Sequence, residues 1–144
     1  MYGVRPILIS LAAMSLCSGA VAASKVTEAA PDPFGVWRNA KNTVHVNITP
    51  CGSNACGKVI WATAKAQADV RKGSGKTLVG LQVFHDLTPK DGRWAGKVYA
   101  PDMNMTFSGS AERTDATTLR AKGCLIGGFL CKSQVWTKIG DAPS

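Results

Sequence analysis

The residues in this chain with the widest chemical range are its cysteines. The stretch TPCGSNACGK places Cys51 and Cys56 among turn-forming residues, and GCLIGGFLCK places Cys124 and Cys131 the same way later in the chain. Thiols grouped like this can hold a metal, cycle between redox states or close as disulfides. Structural zinc sites use C-x2-C to C-x4-C knuckles in both halves, and Cys124 and Cys131, with six residues between them, fit that spacing loosely. The C-x-x-C spacing of dithiol redox centres is absent. In an oxidising compartment disulfides become the expectation, with no metal and no cofactor.

The other reactive residue types offer less. His45 and His85 are the two histidines. His85 with Asp86 has the composition of a base and its orienting carboxylate, but neighbours on a strand point to opposite faces. FSGS at 107–110 lacks the G-x-S-x-G form of a nucleophile elbow. RKGSGKT at 71–77 imitates a phosphate loop, yet Val70 stands where the first glycine is needed, so it reads as a flexible basic loop. Asp86, Asp91, Asp102 and Glu112 could supply paired carboxylates for glycoside hydrolysis, but three of them fall in or beside turns, where solvated acids are ordinary. No catalytic residue emerges from this set.

The N-terminal residues indicate the compartment. MYGVRPILISLAAMSLCSGAVAAS has one cation, Arg5, then an apolar run from Ile7 to Leu16, then Ala20-Val21-Ala22 in an A-x-A arrangement. This is the pattern of a secretory signal peptide over residues 1–22, cut after Ala22 or Ala23. Cys17 leaves with it, since Leu16 beside the thiol is unlike a lipoprotein box. The remainder divides into a short extension, 23–33, and one domain, 34–140. Removing 22 of 144 residues leaves 122, with four of the five cysteines, an even number suited to bridges. The same cut removes one of 17 cations against nine acids, 16 − 9, for a net charge near +7. A basic exported protein is drawn to anionic envelope surfaces, and nucleic acid is not an expected partner. No stable membrane span remains after cleavage, and the expected location is periplasmic or secreted, in a bacterium.

The elements that must position these residues read as strands. Short runs rich in Val, Ile, Thr and aromatics recur between turn signals, and no segment after residue 22 keeps a helical period. Eight strands are expected, at 34–38, 43–49, 57–63, 81–87, 93–99, 105–111, 117–123 and 131–139. The segment 64–78 is the longest without a strand pattern and reads as a loop long enough to lie over one end. Short antiparallel strands joined by hairpin-length turns close into an up-and-down barrel, which leaves no open edge. Successive loops of such a barrel alternate between its ends. The loop with Cys51 and Cys56 is second and the loop with Cys124 and Cys131 is seventh, so they lie at opposite ends. Bridged Cα atoms must come within roughly 7 Å. The expected pairs are therefore Cys51 with Cys56 and Cys124 with Cys131.

Seven aromatics, Trp37, Trp61, Phe84, Trp94, Tyr99, Phe107 and Trp136, fall on these strands. Small barrels are either filled by such side chains or hold one small ligand, so the rings are core or the wall of a pocket.

FGVWRN, TPCGSNACGKVIW, LVGLQV, DGRWAGKVYAPDMNMTFSG and KGCLIGGFLCKSQVWTKI together resemble the DUF2147 family of secreted bacterial proteins, over residues 32–139. The resemblance implies a lipocalin-like β-barrel in the cell envelope and no established activity. Gly35-Val36-Trp37 is also similar to the Gly-x-Trp start of lipocalins. Where family members carry a Gly-Lys turn after Tyr-x-Pro, this chain has Met103-Asn104-Met105. The combined expectation is a binding module for a small apolar or anionic envelope component. The competing readings are a filled barrel docking on an anionic envelope polymer through its basic surface, and a hydrolase with an unrecognised site.

Overall fold

A computed structural model describes residues 30–125 and 129–142. The expected leader at 1–22 and most of the expected 23–33 extension lie outside the described residues. The strands are β1 (Gly35–Asn39), β2 (Val44–Cys51), β3 (Asn54–Ala62), β4 (Gln82–Lys90), β5 (Arg93–Ala100), β6 (Met105–Arg113), β7 (Thr118–Cys124) and β8 (Cys131–Gly140). They form a closed antiparallel barrel in chain order, β1 pairing with both β2 and β8. Every strand thus has a hydrogen-bonded neighbour on both sides, as the sequence pattern predicts.

Short turns set the register. Asp91 and Gly92 both take positive φ between β4 and β5, the mirror-image hairpin turn that matches strand twist. β2 and β3 run further than expected, up to a two-residue turn at Gly52-Ser53, with Cys51 opposite Asn54 and Thr49 opposite Cys56. Cys51 and Cys56 therefore sit in the strands and not in a loop.

The segment expected as a loop is partly a helix, α1 (Ala64–Ser74), and the phosphate-loop imitation at 71–77 begins on its last turn. Both caps are built into the sequence. Thr63 Oγ1 accepts from the Ala66 N–H at 3.2 Å, and Gly75, left-handed at φ 71, donates its N–H to the Arg71 carbonyl at 2.9 Å. Val70 is the one buried residue of α1, with Ala66 partly buried beside it.

The core is unevenly distributed along the barrel axis. Trp37, Ile48, Ala55, Leu87, Trp94, Ala111 and Leu119 are buried toward the end that carries the β2–β3, β4–β5 and β6–β7 turns. The segment ahead of β1 crosses this end as a floor. Trp37 Nε1 donates to the Pro33 carbonyl at 2.8 Å and Trp94 Nε1 to the Pro31 carbonyl at 3.0 Å. Arg113, from β6, donates to the Asp32 carbonyl and faces its carboxylate at 3.5 Å.

Candidate functional site

The other end is hollow. A cavity of about 830 Å3 opens there, within the size range of small-molecule sites. Val44, Val46 and Val59 form one wall and Phe84, Val98 and Phe107 another. Ala66 and Val70 of α1 roof part of it, while Lys41 on the β1–β2 loop and Leu125 and Leu130 on the β7–β8 connection border the rest. The helix is held across the mouth by its C-terminal half: a Cβ built on Gly73 would overlap the Asp102 carbonyl in the β5–β6 turn.

Polar groups enter the wall from several elements, Asn39, Thr43, Tyr99 and Asp102 among them, and β8 adds a line of its own. Trp136 is buried and pairs with Leu119 and Asn39, two strand neighbours on the inward face. Strand alternation then turns Gln134 and Lys132 to the same side, opposite the small residues Ala121 and Gly123 of β7. From mouth to depth the strand places Lys132, Gln134 and the ring of Trp136 in the cavity lining. Trp136 Nε1 is buried with no hydrogen-bond acceptor among the described residues. Leaving a buried donor unmet costs about 1–3 kcal/mol, and the nitrogen is itself enclosed, so a group in the cavity reaches it only if the ring shifts. Asn47 Oδ1 is the other such atom among the described residues, on the strand face opposite Val46 and Ile48.

Four of the seven aromatics expected as core or pocket wall, Phe84, Tyr99, Phe107 and Trp136, line the cavity. Trp37 and Trp94 do not; they are packed below it in the floor. Trp61 is on the outside of the barrel, 43% exposed and stacked on His45 with ring centroids 4.4 Å apart. A bulge explains it: Val46 pairs with Val59 and His45 with Trp61, so Ile60 is skipped and the alternation of β3 reverses, turning Ala62 inward.

The histidines stay apart from any carboxylate partner in the hydrogen bonds described. His45 bonds Asn42 at 2.8 Å and His85 bonds Gln82 at 3.2 Å. Burial, and after it the Arg38 guanidinium, holds His45 below the ordinary imidazole value. The disulfides pair Cys51 with Cys56 (Cα atoms 5.8 Å apart) and Cys124 with Cys131 (4.0 Å), at opposite ends. Asp86 lies near the first: its ligand oxygen and the two sulfurs fall within 4.8 Å of one another. With both sulfurs bonded to each other, no thiolate is present to hold a metal there.

Sequence reasoning passed over Lys132, Gln134, Ala66 and Val70. The first two had a legible signal: in CKSQVWTKI the long polar residues Lys132, Gln134 and Lys138 share the face of Trp136, while Val135 and Ile139 share the other with Ser133 and Thr137.

Fold and cavity together define a small closed β-barrel, filled at one end and hollow at the other. The chain belongs to the family described as "Uncharacterized protein conserved in bacteria (DUF2147)", which matches residues 35–138, from the first residue of β1 into β8. No curated protein and no solved structure matches the chain. Two disulfides in a bacterial family are compatible with an oxidising compartment outside the cytoplasm.

Proposed function

We propose that this protein is an exported binding module that takes the apolar part of an elongated small molecule into its hollow end and meets an acceptor or anionic group of that molecule along β8. The observation that carries this reading is a cavity of about 830 Å3 with largely apolar walls, into which β8 turns the Gln134 amide and the Lys132 ammonium. A carboxylate or phosphate-like oxygen near the mouth would accept from the Gln134 amide or from the Lys132 ammonium. Burial of a hydrocarbon body contributes roughly 25 cal/mol per Å2 removed from water, and the polar line sets orientation. The leader pattern and the bridges support export. Native mass spectrometry of protein isolated from bacterial cells tests the reading. A retained adduct carrying an acidic or acceptor group supports it; protein that flies free of any adduct, from several growth conditions, contradicts it.

A further inference from the structure

The rim of the hollow end is apolar at its tip and basic around it. Phe129 and Leu130, on the β7–β8 connection, are each 78% exposed, and Met103 (53%) and Met105 (43%) are exposed on the β5–β6 side of the same mouth. Exposed aromatic and long apolar side chains gathered at one end differ from singly scattered ones and mark an interaction surface. Lys122 and Lys132 lie on the two strands that bear the Phe129-Leu130 tip, and Lys41 stands on the neighbouring β1–β2 loop. Lys65, Arg71 and Lys72 on α1, and Lys76 just beyond it, are exposed at the same end. Against these cations the mouth end has Asp69, already engaged by Lys65 at 2.7 Å, and Asp102. The other described acids, Asp32, Asp86, Asp91, Glu112, Asp115 and Asp141, fall toward the floor. They share that end with Lys58, Lys90, Arg93, Arg113, Arg120 and Lys138, so the floor is near neutral while the open end is positive.

We infer that the mouth docks on an anionic lipid bilayer, with Phe129, Leu130, Met103 and Met105 entering the headgroup and upper acyl region and the surrounding lysines over the anionic headgroups. Interfacial binding of this kind combines buried apolar area with attraction to acidic lipid. The bilayer is the occupant that matches both halves of the surface. A protein partner or a second copy would have to bring an acidic ring around an apolar socket, and the floor end of this chain, where Lys90, Arg93, Arg113, Arg120 and Lys138 stand among the acids, offers neither. Docked in this way, the cavity would open directly onto the acyl layer, a source of elongated apolar molecules. The docking itself rests on the rim alone and does not require the cavity to bind anything.

Co-sedimentation with large vesicles tests it. The chain without residues 1–22 should pellet with equimolar phosphatidylglycerol and phosphatidylcholine and stay soluble with phosphatidylcholine alone, and added salt should release it. Phe129→Ser should lower partitioning about tenfold, since a large apolar side chain loses its burial. Lys72→Gln should lower it about fivefold, the effect of one cation near an acidic surface. Neither residue lines the cavity, so both variants should bind dodecanoate as wild type does, which separates failure of docking from failure of the cavity. Equal pelleting with neutral and acidic vesicles, no pelleting at low salt, variants that bind as wild type, or a dimer formed through Phe129 in place of vesicle binding would each overturn the inference.

Discussion

The indole N–H of Trp94 on β5 reaches the carbonyl oxygen of Pro31, 63 positions earlier in the chain, at 3.0 Å. With the Trp37 bond to Pro33, it ties the segment ahead of β1 across one end of the barrel, opposite the mouth of the cavity. Trp94→Phe keeps a ring in the floor and removes this bond. Stability should fall by about 1–2 kcal/mol, the sum of a lost buried hydrogen bond and a small void. Urea titration followed by circular dichroism measures it; an unchanged midpoint would mean that the tie contributes nothing.

Gly73 fixes α1 to the β5–β6 turn. Gly73→Ala raises helix propensity by about 1 kcal/mol, yet its Cβ would meet the Asp102 carbonyl. Overpacking against backbone costs about 1–3 kcal/mol, so the substitution should lower stability and speed amide exchange of α1 specifically. Slower exchange across residues 66–74 would show that propensity wins and the contact yields.

The two bridges close short loops at opposite ends of the barrel. Replacing either pair by alanine should cost about 2–3 kcal/mol on the chain-entropy view, and the two losses should add, since the sites share no neighbours. Denaturant midpoints of the single-pair and double-pair variants decide this. Peptide mapping that finds Cys51 joined to Cys124 or Cys131 would refute the pairing itself.

His45 supplies a pH dependence. Its folded value lies below the 6.5 of a free imidazole, first through burial and then through Arg38. Below pH 6.5 the unfolded chain takes up a proton that the folded chain resists, so stability should decline as pH drops through that window and stay level above it. Asp115, through bonds from Thr117 and Thr118, and Asp141, through Lys138, are held below the carboxylate value and act only at lower pH. His45→Asn should remove the decline just below 6.5 in thermal melts. An equal decline in both proteins would assign it elsewhere.

The sequence made the closed barrel legible because each strand carries its own period and each turn its own Gly, Pro, Asp or Asn. Loop parity around that barrel is enough to pair the cysteines. α1 escaped because Ala66 and Val70 are all that it turns inward, too short a face to show a 3.6 period, although Thr63 and Gly75 are readable caps. Trp61 was misplaced because the bulge at Ile60 reverses the alternation of β3, and nothing local in KVIWAT encodes it. The hollow end was hardest to see. Whether seven rings fill a barrel depends on where they lie along its axis: Trp37 and Trp94 crowd the floor, while small Ala121 and Gly123 stand opposite Gln134 and Lys132 near the mouth.

Gly123 offers the most direct test of a ligand-binding lumen. A Cβ there meets only Phe107 Cβ, at an ordinary 3.8 Å, so Gly123→Phe adds a ring to the cavity lining without displacing backbone, in a strand that favours Phe over Gly. Dodecanoate, an apolar chain with a carboxylate, titrated calorimetrically into both proteins at fixed salt is the measurement. The expected result is saturable one-to-one binding to wild type and none to a folded Gly123→Phe. Equal heats from the two proteins, or no binding to wild type by dodecanoate or its phosphate counterpart, would contradict the account.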